Sequence, residues 1–275
     1  MLLLCACGSN EQPVDAGTDT APDAIEEPEE DTGIDTGVDS GPPPVVWAHT
    51  ESALYRFDVP SKTLTYVADF SCAVEQVQDI AIDVNGAMVG VTLSSLVAID
   101  PATAVCKRIA LGAYPRSLAF APAGILDAGE ELVGFNYVQY LRIDRGTGAV
   151  SFAGALMPGM LNFPVAASGD LTILPNGRGF LTATGPSPPN QDDLVLEFDP
   201  KTGKALRLVR ATGVPSLLGL ASWQGNLYAF SASGHVYRVT PNGAVSEVLS
   251  PDAGPDASDA SGISFSGAAV STSAP

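Results

Sequence analysis

Few residues of this chain have the types and spacing that catalysis requires. The two histidines, His49 and His235, have no cysteine, glutamate or second histidine nearby at the spacing of a metal site. No Gly-x-Ser-x-Gly sequence is present, so the strained turn that presents a nucleophilic serine is not predicted. Glycine-rich phosphate loops are absent as well. We therefore interpret both histidines as structural and expect neither nucleophilic hydrolysis nor phosphate chemistry.

Three carboxylates, Asp79, Asp83 and Asp170, remain as candidates because they fall on or beside predicted inner strands of a repeated β unit. Glycosidases act through two carboxylates that flank the substrate, and calcium binds clustered carboxylate oxygens. These residues define one functional alternative, a calcium-dependent hydrolase or lactonase with its site in a central channel. The Glu, Asn and Asp set of calcium lactonases is not found at inner positions, so the leading expectation is no metal and no cofactor.

Aromatic and arginine side chains at loop tips are the residue types that most often form binding surfaces. The sequence offers five such candidates, which are Trp47, Tyr114, Arg116, Tyr137 and Trp223. Most of them alternate with polar neighbours, and packing between sheets is the alternative role for these side chains.

The elements that must position these residues begin at residue 45. From there the chain consists of short apolar or alternating segments separated by Gly, Pro, Asn and Asp turns, without a sustained helical period. One turn, in which an apolar strand ends in an acidic or hydroxyl residue, recurs at Asp58, Asp100, Asp144, Asp199 and Thr240. A second, glycine-containing turn recurs at Gly86, Gly124, Gly177, Gly225 and Gly267. The anchors of the first series are interpreted as caps that accept backbone N–H bonds.

The two turn series predict a closed ring. The first turn of the first series has no turn of the second series before it, and the last turn of the second series has no turn of the first series after it, so the two ends of the chain would complete one blade together. We predict an all-β domain, a β-propeller of five four-stranded blades. Residues 262–266 would form the inner strand of the blade that contains strands near 46–50, 53–59 and 63–68. A candidate strand at 268–273 leaves six blades as an alternative. The segment Leu-Arg-Ile-Asp-Arg-Gly-Thr-Gly that ends at Gly148 resembles the unit of YVTN-repeat and quinoprotein-like propellers, which implies a blade and no particular function.

The sequence Leu4-Cys5-Ala6-Cys7 resembles the lipobox of bacterial lipoproteins, with Leu three places before Cys7 and a small residue directly before it. Cys5 does not fit, because Leu4 would occupy the small-residue position. The resemblance implies that residues 1–6 are the remnant of a signal peptide and that Cys7 carries diacylglycerol. Several acyl chains anchor a protein stably. It further implies a location in the cell envelope, at the outer membrane or cell surface rather than the cytoplasm.

Cys72 and Cys106 are the thiols that remain after such processing. An oxidising compartment outside the cytoplasm favours their pairing. They fall on the linker into one predicted blade and on the outer strand of that blade. We predict a disulfide between them, with two buried free cysteines as the alternative.

The charge of the chain is concentrated in one segment. The formal net charge is -18, from 31 acidic and 13 basic residues. Residues 8–44 hold 11 of the acids and no base, which leaves 20 acids against 13 bases. This composition predicts that residues 7–44 are a lipidated cysteine followed by a disordered acidic linker, and that residues 45–275 form the propeller domain. The charge balance argues against nucleic acid as a partner.

The leading functional hypothesis combines these features. It is a membrane-anchored envelope lipoprotein whose propeller binds a protein or glycan and performs no chemistry. The alternatives are the calcium-dependent hydrolase or lactonase described above and a structural scaffold of an envelope complex.

Overall fold

A computed structural model describes residues 45–72, 75–185, 192–250 and 262–274. Cys7 and the linker 7–44 lie outside these ranges, so the predictions for them stay predictions. Within the described ranges the regular elements are twenty β-strands. No helix in these ranges is long and apolar enough to cross a bilayer.

The strands follow one another along the chain in groups of three or four. The first group is β1 (Val46–His49), β2 (Ala53–Asp58) and β3 (Thr63–Asp69). The next is β4 (Asp79–Ile82), β5 (Met88–Val91), β6 (Ser95–Ile99) and β7 (Cys106–Leu111). It is followed by β8 (Ala119–Ala121), β9 (Glu131–Asn136), β10 (Gln139–Ile143) and β11 (Val150–Ala155). Then come β12 (Ala166–Ile173), β13 (Gly179–Thr184), β14 (Asp192–Phe198) and β15 (Ala205–Pro215). The last are β16 (Leu217–Trp223), β17 (Asn226–Ser231), β18 (Val236–Val239), β19 (Val245–Leu249) and β20 (Gly267–Ala269).

These strands form five antiparallel four-stranded sheets, which confirms the predicted five-bladed propeller. In order from the inner strand outward, blade 1 is β20-β1-β2-β3, blade 2 is β4 to β7, blade 3 is β8 to β11, blade 4 is β12 to β15 and blade 5 is β16 to β19. We call the end of the ring at which the inner strands begin the upper face. The loops between the second and third strands of each blade lie on this face. Both predicted turn series lie on the opposite, lower face, with the exception of Gly267 in the second series.

The closing blade joins the two ends of the described chain, but not with the predicted strand. The inner strand is β20, which pairs with β1 through Trp47 opposite Ala269 and His49 opposite Gly267. Residues 262–266 precede this strand, so the prediction that they form it was wrong. The sequence predicts Gly267 as a turn glycine, but it is the first residue of the strand, where the absence of a side chain makes room at the centre of the ring.

The lower turns are held by the side chains that the sequence predicted as caps. Asp100 Oδ1 accepts the N–H of Ala102 at 2.9 Å, and Asp144 Oδ1 accepts the N–H of Thr147 at 2.8 Å. These backbone bonds lower the pKa of both carboxyls. In the other series Gly86 has φ 80°, a left-handed conformation that glycine adopts without steric cost.

The apolar core lies between the blades rather than within them. Phe135 and Tyr140 of blade 3 pack edge-on against Phe198 of blade 4, with ring centroids 5.2 and 5.8 Å away. Phe57 of blade 1 packs in the same way on Phe230 of blade 5, at 5.6 Å. Aromatic contacts of this geometry add to the burial of apolar area, so each blade is stabilised mainly by its neighbours.

The predicted disulfide is confirmed and fastens one blade to the next. Cys72 lies on the connection from blade 1 into blade 2, Cys106 begins the outer strand of blade 2, and the two sulfurs are bonded. The equivalent contact between blades 2 and 3 is a hydrogen bond from the Tyr114 hydroxyl to the carbonyl oxygen of Gly148 at 3.2 Å. The disulfide is therefore a covalent version of a contact that the fold makes repeatedly.

Candidate functional site

The inner strands of all five blades converge on two carboxyl groups, those of Asp79 and Asp170, which we call the carboxyl pair. Asp79 begins β4, Asp170 lies within β12, and each residue is only 1% exposed. The pair accepts one backbone N–H from each blade, and the donors in blade order are Ala268, Ile80, Leu118, Leu171 and Leu220. Two side chains thus tie together the whole ring.

The carboxyl group of Asp79 accepts backbone hydrogen bonds from its own blade and from the next one. Its Oδ1 accepts the N–H of Ile80 at 2.8 Å, and its Oδ2 accepts the N–H of Leu118 at 2.5 Å. Leu118 immediately precedes β8, so this second bond crosses from blade 2 to blade 3.

Asp170 reaches the other two blades. Its Oδ1 accepts the N–H of Leu171 at 2.6 Å, and its Oδ2 accepts the N–H groups of Leu220 at 2.8 Å and Ala268 at 3.1 Å. Every oxygen of the carboxyl pair therefore accepts a backbone N–H, the environment that stabilises negative charge.

The carboxyl groups of Asp79 and Asp170 also lie close enough to each other to form a hydrogen bond. Two carboxylates cannot form such a bond unless one of them carries a proton. Burial raises the pKa of both groups well above the ordinary aspartate value, and the negative charge of Asp79 raises the pKa of Asp170 further. The raised pKa values and the contact between the two carboxyl groups favour a protonated form of the pair, whose charge is lower than that of two ionised aspartates.

His49 lies beside the pair and carries no charge there. Its Nδ1 donates to the carbonyl oxygen of Thr50 at 2.8 Å, so in the neutral ring Nε2 presents a lone pair to Asp79 Oδ1, 3.5 Å away. Burial lowers the pKa of His49 to about 4. The histidine that sequence analysis interpreted as structural is therefore a neutral, fully buried neighbour of the carboxyl pair.

Glycines let the strands approach this closely. A Cβ on Gly267 would lie 2.3 Å from both Asp79 Oδ1 and His49 Nε2. A Cβ on Gly219 would lie 2.9 Å from the backbone nitrogen of Ala268. Blades 1 and 5 thus have glycine at the level where blades 2 and 4 have aspartate, because the centre has room for two side chains.

The cavity that the structure shows at the centre of the ring is too small for a small-molecule substrate. Below the carboxyl pair is a cavity of about 20 Å³, bounded by Ala81, Thr172 and Ser222, which is enough for about one water. Sites for small molecules are usually about 300–1,000 Å³. Ser271 lies across the lower end, where its hydroxyl donates to the carbonyl oxygen of Asp83 at 2.8 Å.

The structure brings together two of the three predicted carboxylates and separates the third. Asp83 follows β4 at the lower face, where its Oδ2 accepts a hydrogen bond from Arg145 Nη1 at 2.7 Å. The described ranges contain no group of three His, Cys, Asp or Glu side chains arranged to hold a metal ion. The N–H bonds to each oxygen of Asp79 and Asp170 suit a negative charge rather than calcium.

Three of the five predicted binding residues pack against other parts of the propeller. Trp47 lies within β1, with the Arg56 guanidinium 5.6 Å from its ring centroid. Tyr114 is half-buried against blade 3, and Trp223 is buried at the end of β16. Packing, the alternative role, applies to these residues.

Arg116 and Tyr137 instead meet on the upper face. The Arg116 guanidinium lies over the Tyr137 ring, 5.6 Å from the centroid, and Tyr137 is 56% exposed. The neighbouring Val138 is also exposed, and its carbonyl oxygen accepts the N–H of Leu156 at 2.7 Å, next to the exposed Met157. We call Arg116, Tyr137, Val138 and Met157 the upper-face patch.

Sequence reasoning missed the meeting of the inner strands, although a signal exists. The segments that begin at Asp79 and Asp170 are Asp-Ile-Ala-Ile and Asp-Leu-Thr-Ile, and the corresponding segments of blades 5 and 1 begin at Gly219 and Gly267. An alignment of inner strands would have placed aspartate and glycine at one level. Val138 and Met157 carry no such signal.

Comparisons with known proteins assign neither a family nor a function to the chain. No family model matches the chain, and no curated protein matches it. A protein of unknown function from Bacteroides caccae is similar in structure, with a TM-score of 0.42 and 11% identity over 83% of this chain and 99% of that one. An auxiliary nutrient binding protein from Bacteroides thetaiotaomicron has a TM-score of 0.43 and 12% identity, over 74% of this chain and 53% of that one.

Proposed function

We propose that this protein is a cell-envelope lipoprotein whose propeller binds another protein through the upper-face patch and catalyses no reaction on it. The observation that carries the proposal is the exposed Tyr137 ring stacked under Arg116 beside exposed aliphatic side chains. Tyrosine and arginine are the residue types most often found at the energetic centres of protein interfaces. The central cavity, by contrast, is too small for a substrate.

The backbone at Tyr137 supports a binding role. Tyr137 has φ 56°, in the left-handed region that residues other than glycine rarely occupy. Residues in such conformations cost free energy and concentrate at functional sites. The N–H of Ala167 donates to the carbonyl oxygen of Tyr137 at 3.0 Å and holds the loop in place. The ring is thus presented in a fixed position, which lowers the entropy cost of binding.

The composition of the patch favours a protein over a glycan. Val138 and Met157, on backbone segments next to Tyr137, add exposed apolar side chains to this face, and methionine is enriched at protein interfaces. The guanidinium of Arg116 offers several N–H donors in a planar arrangement that matches a carboxylate. The partner that fits this patch presents an apolar side chain next to an acidic one.

The anchor is the second part of the proposal. The lipobox at Cys7 supports attachment to a membrane, and the acidic composition of residues 8–44 supports a spacer between membrane and propeller. The partner would then be a protein of the same envelope.

The experiment compares full-length wild type with Tyr137→Ser and Arg116→Ser in capture from envelope extracts, with captured proteins quantified individually. Tyr66→Ser is the matched control, because Tyr66 is 54% exposed on the outer strand of blade 1. We expect a protein whose capture falls at least about 10-fold in both patch variants and is unchanged in Tyr66→Ser. Equal capture by wild type and both patch variants would refute the proposal. Binding to a glycan array that depends on Tyr137, with no protein lost, would refute the assignment to a protein partner.

A further inference from the structure

We infer that the carboxyl pair is a proton-dependent lock, which holds the five blades together while Asp79 and Asp170 share a proton and loosens them when that proton is lost. The geometry carries this inference. The pair accepts a backbone N–H from each of the five blades, and its two adjacent carboxyl groups, from blades 2 and 4, are bridged while one of them is protonated. Loss of the proton removes that bridge and leaves two negative charges in contact at the point where all blades meet.

No neighbouring cation relieves this repulsion within the described residues. The nearest ionisable side chain is His49 on β1, which is neutral above about pH 4. Arg145 is bonded to Asp83 at the lower end of β4. Asp193 on β14 is a further buried acid, bonded to the Ser168 hydroxyl and the Leu217 N–H. The inner strands β8, β16 and β20 carry no ionisable side chain.

The direction of the pH effect follows from where the proton is bound. In the unfolded chain both aspartates ionise near pH 4, whereas the folded pair keeps one proton to a higher pH. A group whose pKa is raised on folding contributes stability that is complete below its unfolded pKa and declines as the pH rises towards the folded pKa. The propeller is therefore most tightly closed in mildly acidic surroundings and weakens as they become alkaline.

The test is the melting temperature of the full chain between pH 5 and pH 9. The shared proton should lower the wild-type Tm by about 3–5 °C for each pH unit over the range in which it is retained. Asp170→Asn has no such proton to lose. The difference in Tm between this variant and wild type should therefore change by about 3–5 °C per pH unit, in favour of the variant as the pH rises. Burial also raises the pKa of Asp193, which therefore adds to the dependence of the wild-type Tm on pH. The inference is tested by the difference between the variant and the wild type in the slope of Tm against pH.

Asp83→Asn is the matched control, since it alters a buried carboxyl close to β4 that lies outside the pair, and it should keep the wild-type slope. Asp79→Asn repeats the test from the other partner. A difference between Asp170→Asn and wild type that does not change with pH would overturn the inference. If neither variant of the pair folds, Asp193→Asn supplies the test, because it removes the other buried acid with a raised pKa. A Tm of this variant that falls as the pH rises from 5 to 9 would support the inference, and a constant Tm would overturn it.

Discussion

The carboxyl groups of Asp79 and Asp170 meet at the centre of the ring, although they belong to blades 2 and 4. Buried charges in proteins are normally balanced by a cation or by several hydrogen bonds. Here one backbone N–H of each blade donates to the pair, and we infer that a shared proton lowers its charge. The centre of this propeller is a structural crosslink, whereas the binding surface that we propose lies on the upper face.

Gly267 is the residue that makes room for this crosslink. A Cβ there would lie 2.3 Å from Asp79 Oδ1 and from His49 Nε2, so we expect Gly267→Ala to reduce the free energy of unfolding by about 2–3 kcal/mol. Gly129→Ala is the control, since a Cβ at Gly129 meets nothing within 4 Å. Urea unfolding of both variants measures this, and equal stability of the two would show that the centre is not tightly packed.

Tyr140 has a buried hydroxyl that has no hydrogen-bond partner within the described residues. Leaving such a group unsatisfied costs about 1–3 kcal/mol, so Tyr140→Phe should stabilise the protein, by about 1 kcal/mol after the loss of packing. Tyr114→Phe should do the opposite, because it removes the bond to the carbonyl oxygen of Gly148. Thermal unfolding compares the two, and a destabilised Tyr140→Phe would mean that the hydroxyl is satisfied.

The disulfide should contribute strongly to stability. Cys72 and Cys106 are 34 residues apart in sequence, and a loop of that length corresponds to about 3–4 kcal/mol in the chain-entropy estimate. We expect the double variant Cys72→Ser/Cys106→Ser to melt about 10 °C below wild type and to lose its sensitivity to reductant. Peptide mapping of the unreduced protein checks the bond itself, and two alkylatable thiols at these positions would contradict it.

The lipid anchor is tested by the choice between two neighbouring cysteines. Because only Cys7 has a small residue before it and Leu three places before it, Cys7→Ser should abolish incorporation of labelled fatty acid and release the protein from the membrane fraction. Cys5→Ser should leave both unchanged. Retention of label in Cys7→Ser, or its loss in Cys5→Ser alone, would contradict the assignment.

The blade architecture was predictable because it depends on local signals. Anchors such as Asp100 and turn glycines such as Gly86 repeat with the blade and act within a few residues of themselves. The disulfide was predictable from the position of the two cysteines and from the compartment that the lipobox resemblance leads us to expect. The closing strand was not, because Gly267 has two local interpretations, a turn or a close approach, and only the distant side chains of Asp79 and His49 decide between them.

The candidate site was predictable only in part, for the same physical reason. Asp79 and Asp170 could be selected as inner carboxylates, but their contact depends on how the ring closes. Arg116 and Tyr137 could be selected by residue type, yet Trp47 and Trp223 have the same chemistry and are packed within the fold. Exposure is a property of the assembled blades, which no single segment encodes.

The shared proton can be observed directly by infrared spectroscopy, because the carbonyl stretch of a protonated carboxyl is separate from the bands of carboxylates. The measurement is the spectrum of the folded full chain at pH 7, recorded for wild type and for Asp170→Asn. We predict a protonated-carboxyl band in wild type that is weaker in Asp170→Asn. Spectra that are identical in this region, or a wild-type spectrum without the band, would contradict the claim that Asp79 and Asp170 share a proton at the centre of the ring.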